Sequence, residues 1–218
     1  MILDGPGTGP ATGAFRAGSP EGSGTLPPVQ VFGENELADR LRRGGEVGRF
    51  LVSIGNPRGF LSPKVPGTRV PPIFRERFER VLRLAFFDVD DVSQLGRMRP
   101  RRVAERRDVE RVARFFAETR ASGGGWTVHC WQGLSRSPAV ALGLLYLQLG
   151  DEGEAGKALR SIRPEARPLQ RVVRLFDDVL GSRLSEVNEG IRAARIEEMR
   201  VELDLHEDAL LEELPAAE

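Results

Sequence analysis

The sequence has very little cysteine and very little lysine. Cys130 is the only thiol among 218 residues, and Lys64 and Lys157 are the only lysines. A single cysteine excludes an internal disulfide framework and a cysteine-rich metal site. It also means that no second cysteine of this chain can protect Cys130 as a disulfide. A free, reactive thiol suits a reducing compartment, so we expect a cytoplasmic protein.

Long apolar runs, a basic leader and a net charge are also missing. No run approaches the roughly 20 apolar residues of a membrane-spanning helix, so we expect no membrane partner. No basic stretch followed by an apolar core opens the chain, so we expect no secretory signal. Basic and acidic residues number 32 each, so no global field attracts nucleic acid. The sequence offers no cluster of metal ligands, and we expect neither a metal nor another cofactor.

The chemically informative residues lie in one stretch, residues 129–137, which reads HCWQGLSRS. A short apolar run precedes it and a longer, helix-favouring apolar run follows it, which predicts a strand, a tight loop and a helix. The N–H groups of such a loop, together with the positive end of the helix dipole, form an anion site. Gly133 lets the loop curl. Arg136 offers a planar fork that matches two phosphate oxygens.

Cys130 opens this loop and lies in the same electrostatic field. A helix N-terminus and a neighbouring cation stabilise a thiolate, and a thiolate that faces a bound phosphate is a nucleophile directed at phosphorus. We expect Ser137 to donate its hydroxyl to the sulfur, and His129 to orient the loop from behind without touching substrate. A lone cysteine is more often a buried apolar residue, but the surrounding His, Gly, Arg and Ser favour a functional site.

These residues resemble the signature loop of the cysteine-dependent protein tyrosine phosphatases, in which His-Cys is followed by five residues, Arg, and Ser or Thr. The Gly-x-Ser-Arg-Ser form is similar to that of the dual-specificity branch, more narrowly to its small bacterial members. The resemblance implies an α/β fold, with a central, mainly parallel sheet flanked by helices and the loop between a strand and a helix. It also implies hydrolysis of phosphate monoesters on phosphotyrosine proteins, with phosphoserine and phosphothreonine as further candidates, through a cysteinyl-phosphate.

The resemblance also assigns roles to residues. Cys130 is the nucleophile and Arg136 the catalytic cation, while His129 and Ser137 support the loop. Phosphate binding falls to the loop residues Trp131, Gln132, Gly133, Leu134, Ser135 and Arg136.

The general acid in this family is an aspartate that follows the strand preceding the signature strand. Asp88 is the best match, because it is the first acid after an apolar run at residues 82–87. Asp90 and Asp91 remain alternatives, and an acidic turn without a catalytic role is an equally plausible interpretation. The family often places an asparagine where this chain has Leu169, so we expect the support around the site to differ.

Two other functions stay open. The loop lacks the lysines common in related lipid phosphatases, which favours a phosphorylated protein as substrate. A phosphatase of a non-protein substrate such as a phosphoinositide remains an alternative, as does a non-catalytic module that binds phosphorylated residues. Turnover of an aryl phosphate separates the last of these from an enzyme.

Composition divides the chain into three parts. Residues 1–27, rich in Gly, Pro, Ser and Thr, predict a flexible arm, residues 28–183 a phosphatase domain, and residues 184–218 a charged helical tail. The tail either packs on its own domain or serves in self-association. Within the domain we predict an edge strand at residues 29–32, strands at 50–54 and 82–87, a loop at 58–72, and helices at 34–43, 101–120, 139–149, 152–162 and 169–180.

Overall fold

A computed structural model describes residues 28–57, 71–91, 93 and 102–212, with side chains as far as residue 201. The predicted flexible arm at residues 1–27 lies outside the described residues. So does most of the predicted loop at residues 58–72, of which only Pro71 and Pro72 are described.

Four parallel strands form the sheet of the described residues, in the order β1-β4-β2-β3. Their bounds are β1 Val29–Gly33, β2 Phe50–Gly55, β3 Arg80–Ala85 and β4 Trp126–Cys130. Every residue of the two inner strands, β2 and β4, is buried, as expected when helices cover both faces of a parallel sheet. The predicted α/β class is confirmed, and the strand at the N-terminus of the domain is an edge strand as predicted.

The described helices are α1 Glu34–Arg42, α2 Pro72–Arg77, α3 Arg106–Thr119, α4 Arg136–Leu149, α5 Glu152–Ile162, α6 Gln170–Leu180 and α7 Leu184–Glu212. One face of the sheet packs on α1 and α2 through a small apolar cluster that includes Leu37, Leu51 and Phe74. The other face packs on α3 to α6 through the main core. The two clusters place the sheet between two helical layers.

Helix α4 crosses the centre of the domain and fixes the loop at its N-terminus. It is buried along almost its whole length. A Cβ atom added to Gly143 would lie 2.3 Å from Cζ of Phe176, so only glycine lets α6 pack this closely on α4. A helix packed on several sides cannot shift without opening the core, and the residues that begin it are therefore held in place.

Helix α3 begins at Arg106, five residues later than predicted. The Asp108 side chain accepts a hydrogen bond from the N–H of Glu105 at 3.0 Å, which marks the start of the helix. Arg102 pairs with Asp108 at 2.8 Å, and its carbonyl accepts the N–H of Phe87 at 2.9 Å. Residues 102–105 are therefore tied to the chain that leaves β3 instead of extending the helix.

Helix α7 packs its first turns on the rest of the domain. Leu184, Asn188 and Ile191 are buried, and the Asn188 side chain donates to the carbonyl of Pro168 at 3.2 Å. Farther along, Ile196 is 68% exposed. The boundary at residue 183 and self-association through the tail stay predictions.

Within the described part of the chain, no helix has the length and apolar character needed to cross a membrane. The same residues contain no group of three or more His, Cys, Asp or Glu side chains arranged to hold a metal ion.

Candidate active site

The loop between β4 and α4 spans residues 131–135, and a glycine sets its shape. Gly133 has a φ of 79°, which favours glycine. A Cβ atom at this position would also lie 2.5 Å from the backbone nitrogen of Gly33, at the end of β1. The N–H of Glu34 donates to the carbonyl of Trp131 at 3.0 Å. The loop is therefore pinned against the end of β1 by close backbone contact.

Cys130 ends β4 at the base of this loop. Its side chain is only 2% exposed. The sulfur accepts the N–H of Gly133 at 3.3 Å and the hydroxyl of Ser137 at 3.1 Å. Both donors stabilise negative charge on sulfur more than they stabilise a neutral thiol. The Ser137 contact is the one expected from the sequence.

Arg136 begins α4, and its guanidinium binds groups that follow β2 and β3. Its Nη1 donates to Oδ1 of Asn56 and to the carbonyl of Phe86, both at 3.0 Å. Its Nε is buried without a hydrogen-bond acceptor among the described residues. A buried donor without an acceptor costs free energy, so an anion that supplies one would be favoured here. Asn56 and the Phe86 carbonyl orient the fork and leave this donor available.

Asp88 lies three residues beyond the end of β3 and faces the loop. Its Oδ1 accepts the Ser135 hydroxyl at 2.5 Å, and its Oδ2 lies 3.8 Å from Nε of Arg136. The carboxylate is partly exposed, which leaves it accessible to a bound substrate. The thiol, the arginine and this aspartate therefore converge on one loop.

The two alternative acids make their described hydrogen bonds elsewhere. Asp90 accepts the N–H of Arg171 at the start of α6, at 2.9 Å. Asp91 accepts the N–H of Ser93 at 2.7 Å, and hydrogen bonding to Ser93 lowers the pKa of Asp91. Neither of these two partners belongs to the loop at residues 131–135.

His129 lies behind the loop, inside the sheet. Its Nε2 is 2.8 Å from Oγ of Ser53 on β2, and its ring packs edge-on against Phe74 at 4.9 Å between centroids. Burial lowers the pKa of His129 to about 4, and the charges of Arg83 and Arg136 act in the same direction. The ring is therefore neutral at pH 7 and serves as an uncharged support.

The support expected from the family's asparagine is replaced by backbone contacts. Leu169 occupies that position with a buried side chain. Its N–H donates to the carbonyl of Ser135 at 3.3 Å, and the N–H of Arg167 donates to the carbonyl of Leu134 at 2.7 Å. The chain between α5 and α6 thus holds the outer half of the loop without a polar side chain.

Two loop side chains face solvent. Trp131 is 41% exposed and Gln132 is also exposed, whereas Gly133 is buried beneath them. A large exposed aromatic ring beside a buried thiol offers an apolar surface to whatever group carries the phosphate. A separate cavity of about 620 Å³ lies between α6 and α7, and none of residues 129–137 lines it.

Comparison by sequence gives no relatives: no protein-family model matches the chain, and no curated protein matches it. Comparison of structures does give matches. The chain is similar to dual-specificity phosphatases. It is 16% identical to DUSP15 over 78% of this chain and 94% of that one, with a TM-score of 0.45. It is 20% identical to human DUSP28 over 72% of this chain and 93% of that one, with a TM-score of 0.41.

A further match is PTPMT1 in complex with PI(5)P. The identity is 16% over 76% of this chain and 93% of that one, and the TM-score is 0.46. Dual-specificity phosphatases, which the loop residues resemble, are thus among the structural matches. Similarity at this level says nothing about activity or substrate, which must be inferred from the chain's own residues.

Proposed function

We propose that this protein hydrolyses phosphate monoesters through a cysteinyl-phosphate on Cys130. One observation carries the proposal: the Cys130 sulfur accepts hydrogen bonds from Gly133 and Ser137 in the same loop where the buried Nε of Arg136 has no acceptor among the described residues. A sulfur nucleophile beside a buried guanidinium that still has a free donor is the arrangement that phosphoryl transfer to sulfur requires.

In the first step the Cys130 thiolate attacks phosphorus and the bond from phosphorus to the ester oxygen breaks. The loop N–H groups of residues 131–136 and the guanidinium of Arg136 bind the three equatorial oxygens, where negative charge accumulates in the transition state. Asp88, next to Ser135 and Arg136, gives its proton to the departing oxygen. The products are an alcohol or phenol and the cysteinyl-phosphate.

In the second step water attacks the phosphorus of the cysteinyl-phosphate. Asp88, now a carboxylate, accepts the proton of that water. The sulfur–phosphorus bond breaks, the thiolate leaves, and inorganic phosphate is released. The Ser137 hydroxyl, 3.1 Å from the sulfur, stabilises the leaving thiolate.

For the substrate we propose phosphotyrosine in proteins, with phosphoserine and phosphothreonine as secondary substrates. Trp131 and Gln132, the two exposed side chains of the loop, carry no charge. An exposed indole ring can stack on a phenyl ring, whereas a polyanionic inositol headgroup would favour cations at these positions.

The deciding experiment compares wild type with Cys130→Ser on nitrophenyl phosphate. We expect turnover by wild type and none by the variant, while both retain the fold and bind inorganic phosphate. Acid-quenched wild type should carry one phosphoryl group by mass spectrometry, and Cys130→Ser should carry none. Phosphate binding without turnover in wild type would instead support the binding module.

The substrate class needs its own measurement. Rates on phosphotyrosine, phosphoserine and phosphothreonine peptides are compared with rates on short-chain phosphoinositides at equal concentration. We expect the highest kcat/KM on phosphotyrosine peptides. Higher kcat/KM on a phosphoinositide would keep the mechanism and replace the substrate.

A further inference from the structure

The segment that carries Asp88 is attached to α6 through Asp90, two residues further along the chain. Oδ1 of Asp90 accepts the N–H of Arg171 at 2.9 Å, across 81 positions of sequence. Arg171 is the second residue of α6, where N–H groups have no partner inside the helix. The residue before α6 is Leu169, whose apolar side chain cannot cap a helix. Asp90 therefore acts as the cap of α6, from a distant part of the chain.

The Arg171 side chain makes further contacts with the same part of the chain. Its Nε donates to the carbonyl of Ala104 at 2.8 Å, and its Nη1 lies 3.5 Å from the carbonyl of Asp90. The connection between the segment that carries Asp88 and helix α3 runs from residue 90 to residue 104. One guanidinium thus links both ends of this connection to the first turn of α6, a geometry that suits the planar fork of arginine.

The same short stretch of chain also contacts the phosphate loop. Arg167 and Leu169 donate their N–H groups to the carbonyls of Leu134 and Ser135, as described above. Residues 167–171 therefore contact the nucleophile's loop at one end and the acid's segment at the other. The separation between Cys130 and Asp88 depends on this stretch as well as on the direct contact of Ser135 with Asp88.

We propose that Asp90 and Arg171 are positioning residues that hold Asp88 within reach of the leaving group. The inference rests on the proposed function, because it assumes that Asp88 is the general acid. It assigns Asp90 a structural task in place of the catalytic one that its position after β3 equally suggests. A misplacement of about 1 Å in a catalytic group can cost on the order of 10²-fold in rate, so such a contact matters for turnover.

The test is the leaving-group dependence of variants that loosen the contact. Nitrophenolate leaves without a proton, whereas the phenoxide of phenyl phosphate needs one. For Asp90→Ala and Arg171→Lys we expect roughly a 10–100-fold loss of kcat/KM on phenyl phosphate and a loss within about threefold on nitrophenyl phosphate. A contribution to stability alone would lower both rates together.

Two matched variants separate positioning from other roles. Asp90→Asn keeps an oxygen that can cap α6, since Asn and Asp cap about equally well, so we expect it to restore most of the phenyl phosphate activity. Arg174→Lys makes the same change at an exposed arginine one turn along α6, and we expect wild-type leaving-group dependence.

The possible results distinguish failure of the positioning role from failure of the proposed function. If wild type turns over both substrates, and Asp90→Ala and Arg171→Lys keep its ratio of rates, the positioning role is wrong and the proposed function stands. If Asp90→Asn loses as much as Asp90→Ala while Asp88→Asn does not, Asp90 is the acid, which also overturns the inference. Wild type that turns over neither substrate overturns both. Should Asp90→Ala fail to fold, judged by its melting temperature, Arg171→Lys decides.

Discussion

The proposed nucleophile, Cys130, and the proposed acid, Asp88, lie near the same loop, yet the protein holds them in different ways. Cys130 and Arg136 are 2% and 4% exposed and belong to β4, a strand buried at every residue, and to α4, a helix buried along almost its whole length. Asp88 is partly exposed and lies on a segment outside regular structure, held near the loop by the Ser135 hydroxyl. Core packing sets the position of the nucleophile, and a few polar contacts set that of the acid.

This difference predicts two kinds of sensitivity. On the buried side of the site, which holds Cys130 and Arg136, a substitution alters packed groups that cannot rearrange. It should therefore slow the reaction of every substrate by the same factor. On the exposed side, which holds Asp88, a substitution should slow only those substrates whose leaving group needs a proton, because the nucleophile remains in place. Segments with few buried contacts also open more easily than the core.

The largest effect is expected for Arg136→Lys, on the buried side. A lysine carries the charge but cannot reproduce the two-pronged contact with phosphate oxygens, nor the paired bonds to Asn56 and Phe86. We expect kcat/KM to fall on the order of 10³-fold, as when transition-state donors are lost. The loss should be the same for phenyl and nitrophenyl phosphate, and near-normal efficiency would mean that Arg136 does not contact the phosphate.

The next effect is expected for Asp88→Asn, on the exposed side. Phenyl phosphate should lose at least about 10²-fold, the low end of the range for a general acid, and nitrophenyl phosphate much less. The alkaline limb of the pH–rate profile should flatten, since it reports the protonated acid. Asp91→Asn is the control. The Asp91 carboxylate accepts a hydrogen bond from Ser93, so this variant should show neither change.

The buried side is also the side that the sequence predicted best. The apolar run before Cys130 and the longer one after Pro138 predict a strand and a helix, and the structure has β4 and α4 there. The periodic pattern at residues 152–162 gives α5 with both bounds as observed. Buried elements leave a local pattern of apolar residues, and that pattern is readable without a structure.

The polar contacts between residues far apart in the sequence leave no such pattern. Asn56 and the Phe86 carbonyl meet Arg136 across 80 and 50 positions of sequence, and Asp90 meets Arg171 across 81. An asparagine after a strand and an aspartate in an acidic turn are both common without any such partner. Only the fold brings these pairs together, which is also why the sequence left three aspartates open as the acid.

A smaller and more selective effect is expected from the two serines beside Arg136. Ser137 donates to the Cys130 sulfur and Ser135 to Asp88, so one change on each side of the site can be compared directly. For Ser137→Ala we expect roughly a tenfold slower breakdown of the cysteinyl-phosphate, because one hydrogen bond to the leaving thiolate is lost. The intermediate should accumulate, visible as a burst of nitrophenol.

Ser135→Ala should instead slow phenyl phosphate relative to nitrophenyl phosphate, with no burst. The two variants thus report on thiolate and acid separately. A burst in Ser135→Ala, or leaving-group dependence in Ser137→Ala alone, would show that the two sides are not held independently.

The smallest effect on turnover is expected at His129, which supports the loop from within the core. Since burial lowers the pKa of this ring from 6.5 to about 4, the folded protein binds fewer protons than the unfolded chain between these values. Stability should therefore be complete above pH 6.5 and fall as the pH drops toward 4, by about 3 kcal/mol for this group alone. His129→Gln keeps a partner for Ser53 but cannot titrate, so it should lack this part of the pH dependence.

The measurement is the free energy of unfolding in urea at several pH values between 7 and 4, for wild type and His129→Gln. His206, the other histidine of the chain, remains in both proteins and cancels in the difference. Turnover at pH 7 should change little, because the ring is neutral there and its neutral replacement keeps the hydrogen bond to β2. Parallel stability curves would mean that His129 is accessible to protons when folded, and that the nucleophile's side of the site is less tightly packed than its burial indicates.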